Sequence, residues 1–342
     1  MQKQKRILIV RPDRIGDVVL STPIPREIKK TYPDSFVALF LRKYTKDIYA
    51  NNPYIDKIIL IDDNDDVSSE AFWNKVMEIR SYKFTHSLTL LPTERLNYLL
   101  FFAGIPFRVG VGHKFYQFIT FTRSVSRKKY IPLRHEADYC MDLARRIGVV
   151  TENLNTEIFL SEEEKIESKK IREHLLNGKQ LIVGINTTSG NSAPNWTAET
   201  YKQLIEKLSY VKNLKIVVTD NQVPGNLSNL PSVEYPNISK SLRESIINFA
   251  ALDLLISAST GPMHICAALK VKTISLFCPL TACSPKLWGP LGNENRIIQP
   301  SENYCSNVCP GDPKKCTFEG DGGISTDHIL NEINNFIGVT KN

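Results

Sequence analysis

Ile7-Leu8-Ile9-Val10-Arg11-Pro12-Asp13-Arg14-Ile15-Gly16-Asp17-Val18 is the stretch on which the fold turns. A short β-branched run ends in a polar segment, and helix-compatible residues follow. That order is a strand feeding a turn feeding a helix, the opening of a βαβ unit. Gly16 lets the backbone turn tightly and lets a ligand approach. Asp17 falls at or near the start of the next helix. Asp there is either an N-cap, a role it fills well, or a general base at the carboxyl end of a strand.

The same alternation continues outward. It predicts strands at 36–40, 57–61, 85–90 and 108–111, with helices at 16–31, 45–51, 69–81, 94–103 and 135–148. The last should stop at Gly148. Residues 149–160 lack periodicity and read as a connection. Ser161 followed by Glu162, Glu163 and Glu164 reads as a cap with an acidic first turn. Strands then recur at 180–185, 214–218, 233–235, 252–256, 273–277 and 296–299, with helices at 198–208, 242–250, 262–269 and 326–337. The reading is α/β, with two Rossmann-like parallel-sheet domains at 1–155 and 156–342 facing an interdomain cleft. Ligands of such sheets bind beyond the carboxyl ends of the strands.

The bulk numbers agree. At 342 residues the chain suits two domains, and 42% hydrophobic with 23% charged residues is ordinary for a packed globule. No apolar run approaches the ~18 residues that span a bilayer. The apolar run behind the basic N-terminus is too short for a secretory signal, so the expected location is the cytoplasm. Seven cysteines are too few for a disulfide scaffold in a chain this long. Net charge is +7, unevenly spread: residues 1–150 hold 25 Lys and Arg against 16 Asp and Glu. From 95 to 135 there are eight basic residues (Arg95, Arg108, Lys114, Arg123, Arg127, Lys128, Lys129, Arg134) and no acidic one. That field suits an anionic partner: nucleic acid, a lipid surface or a phosphorylated glycolipid. The alternative is a solvated surface with no partner. Phe115, Tyr116, Phe118 and Phe121 lie in the same stretch and suit apolar docking, whereas no nucleic-acid module is present.

Three later segments could carry chemistry. Asn186-Thr187-Thr188-Ser189-Gly190 offers hydroxyl and backbone donors to phosphate oxygens, or is an ordinary polar loop; it is not a P-loop. In Ser259-Thr260-Gly261-Pro262-Met263-His264, Pro262 suits a first helical position with Thr260 or Gly261 as cap, and the helix start can hold an anion. His264 is either a packed side chain or a diphosphate donor. Asp220, after a strand, is a candidate for ribose hydroxyls. Cys305, Cys309 and Cys316 form one close pair and a third cysteine, with Cys283 or His328 as the fourth ligand of a metal site; the alternative, and the reading adopted, is free thiols and no metal.

In their order and spacing these residues resemble glycosyltransferase family 9, the ADP-heptose:lipopolysaccharide heptosyltransferases. The resemblance rests on Ile7 to Arg11, Gly16-Asp17-Val18-Val19, Pro23, Tyr32-Pro33, Gly184-Ile185-Asn186, Trp196, the segment Ser259 to His264 with Ala267-Ala268-Leu269, and the cysteine-bearing tail. It implies a GT-B fold and an inverting, metal-independent transfer without a cofactor. The donor would be a nucleotide diphosphate sugar, ADP-heptose, and the acceptor an anionic glycolipid of the lipopolysaccharide core reached at the cytoplasmic face of the inner membrane. Asp17 matches the catalytic carboxylate. Thr187, Thr188, Ser189, Asp220, Ser259, Thr260, Gly261, Pro262 and His264 fall on the donor side, and Arg11, Arg14, Gly16, Lys114 and Arg123 on the acceptor side. Two positions depart from the family. Its Lys shortly before the Trp is missing from Ser192-Ala193-Pro194-Asn195-Trp196, and its Asp before Thr-Gly is Ser259. Lys286 is one substitute for the missing cation. These departures leave open a different nucleotide-sugar donor, and a sugar-nucleotide epimerase or a non-catalytic binding protein are alternatives of another class.

Overall fold

The computed structural model describes residues 4–61, 68–127, 130–191 and 193–338. Lys128, Lys129 and Ser192 lie outside the described residues. The chain divides into two units, Met1–Phe159 and Leu160–Asn342.

The first unit holds β1 (Arg6–Val10), β2 (Phe36–Arg42), β3 (Lys57–Ile61), β4 (His86–Thr89), β5 (Phe107–Val111) and β6 (Arg123–Val125). They form one sheet in the order β3-β2-β1-β4-β5-β6, parallel at every pairing. The second holds β7 (Leu181–Asn186), β8 (Leu214–Val218), β9 (Val233–Glu234), β10 (Leu254–Ala258), β11 (Lys272–Leu276) and β12 (Asn295–Ile298). Its order is β12-β11-β10-β7-β8-β9, again parallel throughout. Numbered from the start of its own unit, each sheet has the Rossmann order, and chain direction across the sheet reverses between its first and fourth strands. Both faces of such a sheet are covered, so its central strands are buried on both sides. Ile7, Leu8, Ile9 and Val10 are fully buried, as are Leu254, Leu255 and Ile256.

The helix expected at 16–31 is broken. α1 covers Ile15–Val19 and α2 covers Pro23–Thr31. Pro23 has no N–H to give and crowds the residue before it. Side chains also bond carbonyls at the break: Ser21 Oγ donates to Asp17 O and Thr22 Oγ1 to Val19 O, both at 2.8 Å. The segment expected as a helix at 45–51 is a 3-10 turn, Lys43–Tyr49. Further along come α3 (Ser69–Ser81), α4 (Glu94–Phe102), α5 (Phe115–Ile119) and α6 (Glu136–Arg145). The stop at Gly148 has a steric cause. Its φ is +98°, and a Cβ there would meet Tyr32 Oη at 2.6 Å.

The connection after α6 belongs to the first unit through Phe159, past the expected limit at 155. Arg26 explains it: its guanidinium donates to the Asn155 and Asn153 carbonyls at 2.9 and 3.1 Å and pairs with Glu157 at 3.1 Å. Opening the second unit, α7 (Glu162–Leu176) has the expected cap, with Ser161 and Glu164 exchanging hydrogen bonds. α8 (Ala198–Ser209), α9 (Leu242–Phe249), α10 (Gly261–Ala268), the short α11 (Pro285–Trp288) and α12 (Tyr304–Asn307), and α13 (Thr326–Ile337) complete it.

Candidate active site

In the first unit the site grows from the end of β1. Arg14 is the N-cap of α1, so Asp17 sits in the helical first turn and is not the cap. Its Oδ1 accepts from Arg11 Nη2 at 2.8 Å, and Arg11 Nε reaches its carbonyl at 3.3 Å. Arg11 is buried and lies 3.4 Å from Glu136 Oε1 and 3.7 Å from Asp13. Arg127 donates to the same Glu136 oxygen at 3.0 Å. Burial pushes the Cys140 thiol up to about 12, so it stays protonated and donates to Glu136 Oε1 at 3.4 Å.

Three acids therefore share two arginines. Glu136 is buried, and its Oε2 has no hydrogen-bond partner among the described residues. The Asp17 side chain is 21% exposed. Burial is the main force on its carboxyl and pushes it up to about 6; Arg11 opposes this, while Asp13 and Glu136 add to it. A carboxylate that titrates near neutrality, reaches solvent and stands at a switch point has the properties of a general base.

The other residues expected on the acceptor side divide. Arg14 is exposed beside the site, with its N–H on Asp13 Oδ1 at 2.8 Å. Gly16 is part of α1, its carbonyl accepting from Leu20 N. Lys114 is exposed, just past the carboxyl end of β5. Arg123 is a correction. It lies over the Phe107 ring at 3.8 Å, and Phe107 opens β5, so this cation is drawn to the amino ends of the strands, away from Asp17. Glu136, Arg127 and Cys140 join the site without having been expected there. Arg127 counted only toward the basic tract, and a glutamate in a helical first turn ordinarily faces water.

In the second unit β7 and β10 are neighbours, so the loops after them flank one switch point. Asp220, just past β8, is buried and organises the first loop. Its Oδ2 accepts from Thr187 N and Oγ1 at 2.8 and 2.9 Å, and its Oδ1 from Thr188 N and Oγ1 at 2.9 and 2.6 Å. This corrects two expectations. Both Asp220 oxygens are committed to the loop, so they do not face a ribose. The Thr187 and Thr188 donors expected for phosphate are turned to the carboxylate. Asn195, in the stretch where the family's Lys is missing, donates to the Thr187 carbonyl at 2.7 Å, and Asn186 Nδ2 donates to the Thr188 carbonyl at 2.7 Å. Ser189 Oγ donates to Ala193 O at 3.1 Å.

The second loop is less committed. Thr260 is the N-cap of α10, yet its side chain makes no capping bond. Its Oγ1 and that of Ser257 are buried with no hydrogen-bond partner among the described residues. Pro262 lies in the first turn after Gly261, and the first N–H groups of a helix have no partner within it. A buried hydroxyl left open at a helix start marks a place for an anion. Ser259 is half-buried beside it, and His264, one turn in, is buried. Lys286 is exposed on α11.

In the tail, Cys305 is exposed, Cys309 half-buried and Cys316 buried, all as free thiols. Cys316 Sγ lies 3.7 Å from Tyr304 Oη. His328 is near Glu332 on α13. Among the described residues no group of three or more His, Cys, Asp or Glu is placed to hold a metal ion, and no helix is long and apolar enough to cross a membrane.

Two Rossmann-type sheets, one with a carboxylate at its switch point and one with an open helix start at its own, are the architecture of the GT-B class of glycosyltransferases. The family model for glycosyltransferase family 9 (heptosyltransferase) matches residues 76–316, and the chain belongs to that family. It is 21% identical to lipopolysaccharide heptosyltransferase 2 of Escherichia coli, over 96% of this chain and 97% of that one. Among solved structures it is similar to a family 9 glycosyl transferase of Veillonella parvula, with a TM-score of 0.80, 20% identity and 99% of each chain covered. It is also similar to the ADP-heptose heptosyltransferase II of Escherichia coli, with a TM-score of 0.73, 17% identity, and 96% and 98% covered.

Proposed function

We propose that the protein transfers a heptose from ADP-heptose to a lipopolysaccharide-core acceptor, with inversion and without a metal, working in the cytoplasm against the inner membrane. Asp17 takes the proton of the acceptor hydroxyl. That oxygen forms the new bond to the anomeric carbon as the bond from that carbon to the diphosphate oxygen breaks, and ADP leaves with the electron pair. The helix start at Thr260-Gly261 meets the growing negative charge with N–H groups and dipole. Arg11 holds the Asp17 carboxylate in place, and burial, with the Asp13 and Glu136 charges adding to it, keeps that carboxylate basic.

The observation that carries the reading is the Asp17 carboxyl, shifted up to about 6 and still open to solvent. Asp17→Asn should cut transfer by about 10²–10⁴ while the affinity for ADP stays within about twofold. Single-turnover kinetics beside calorimetric ADP titration measures both. Normal turnover in the variant would refute the mechanism.

A second reading keeps the fold and chemistry and changes the donor to another nucleotide sugar for a surface glycan. It is favoured by Ser259 in place of the family's Asp, and by Asn195 tying down the Thr187 carbonyl where the family has Lys nearby. A thermal-shift panel of nucleotide sugars separates the two readings: stabilisation by a hexose donor and none by ADP-heptose selects the second.

A further inference from the structure

The segment from Lys114 to Thr122 is folded with its polar side inward. Gln117, Thr120 and Thr122 are buried. Gln117 accepts the Lys114 N–H at 2.8 Å and donates to the Val111 carbonyl at 3.1 Å. Asn97 Nδ2 donates to Thr120 Oγ1, and Thr122 Oγ1 donates to Asn97 Oδ1 at 3.1 Å. The apolar side faces out. Phe115, Phe118 and Phe121 recur every third residue and are 78%, 79% and 80% exposed. Phe121 holds a φ of +53°, a left-handed conformation uncommon for a residue with a ring. Turning these rings inward would break the buried polar network, so the network holds them in solvent.

Exposed apolar residues are normal singly, but a run of bare rings on one edge marks an interaction surface. The charges around this one select the partner. Lys114 stands at one end and Arg123, its guanidinium over the Phe107 ring, at the other, and both are exposed. No Asp or Glu occurs from 95 to 135. Aromatic rings between cations fit the boundary of an anionic bilayer, where rings enter the acyl margin and cations meet phosphates.

We propose that this face docks on an anionic lipid bilayer through Phe115, Phe118 and Phe121. The inference deepens the reading of a membrane-attached acceptor and rests on it. Tyr116 Oη donates to the Pro92 carbonyl at 3.2 Å, just beyond β4, so the docking segment starts at the sheet rim that carries Asp17.

Co-sedimentation of the full chain with phosphatidylcholine vesicles, with and without phosphatidylglycerol, at low and high salt, tests it. The wild type should bind the anionic vesicles more than about tenfold better, and less at high salt. F115S/F118S/F121S should lose more than about tenfold in that binding, keeping its circular dichroism, melting point and transfer to a deacylated, water-soluble acceptor. F118S alone is the second variant and should show a smaller loss. Asp17→Asn should bind vesicles like the wild type, so a failed catalytic reading and a failed docking face give different results. The proposal falls if the wild type ignores anionic vesicles or if the triple variant binds them equally. It also falls if the wild type sediments as a dimer that the triple variant breaks.

Discussion

Asp17 shows how one side chain can be costly and useful at once. A carboxyl whose folded pKa lies above its unfolded value binds protons more tightly in the folded state. Stability from that group is therefore present below pH ~4 and is lost as pH rises through about 6. At neutral pH the ionised carboxylate works against the fold by up to about 3 kcal/mol, chiefly the cost of holding a charge in a largely buried place, with Asp13 and Glu136 adding to it. Asp17→Asn, expected to lose transfer, should be more stable than the wild type at pH 7.5 by about 1–3 kcal/mol, and the gap should close as pH falls below 6. Urea unfolding from about pH 4.5 to about pH 8 reads this directly. A variant no more stable at pH 7.5 would mean that the environment does not penalise the ionised form. Transfer should show the opposite trend in the wild type, rising with pH up to about 6 and then levelling as the base becomes fully ionised.

At the scale of elements, the loop after β7 depends on Asp220, which is held by a different strand. Its four hydrogen bonds come from two consecutive residues, so the carboxylate fixes the loop backbone as well as its side chains. Asp220→Asn would put an amide donor against N–H and O–H donors. The expected cost is about 1–3 kcal/mol of stability, with ADP affinity reduced by about tenfold as the loop loosens. Chemical unfolding and ADP titration check it; unchanged ADP affinity would show that the loop plays no part in donor binding. This bond set also marks where sequence reading stopped. Strand periodicity placed Asp220 correctly after β8, but a single carboxylate facing a neighbouring loop is indistinguishable in sequence from one facing a ribose. The break before Pro23 was legible in principle, since proline disfavours a helical residue before it, whereas the apolar period on both sides argued for one continuous helix. The three-residue β6, Arg-Ser-Val, has too few residues to show any period.

For the whole molecule, alternation of strand and helix was enough to give two parallel-sheet halves, because buried parallel strands are near-continuous apolar runs. The clustering of Glu136 and Arg127 around Arg11 was not readable, since its ion pairs bring residues over a hundred positions from Arg11 beside it only on folding. What the two halves share is the Rossmann order, and with it a switch point each; what separates them is the chemistry placed there. The first presents a carboxylate, which repels a diphosphate. The second presents a helix start with an open Thr260 hydroxyl. ADP alone should therefore be a ligand of the second unit. At ~100 times its dissociation constant it should stabilise that unit by about 2.7 kcal/mol. Hydrogen exchange read by mass spectrometry should show slowed amides at 187–190 and 260–264, with those around Asp17 exchanging at the unliganded rate. Protection centred on 13–17 instead would place the nucleotide on the carboxylate side and overturn the division of labour between the units.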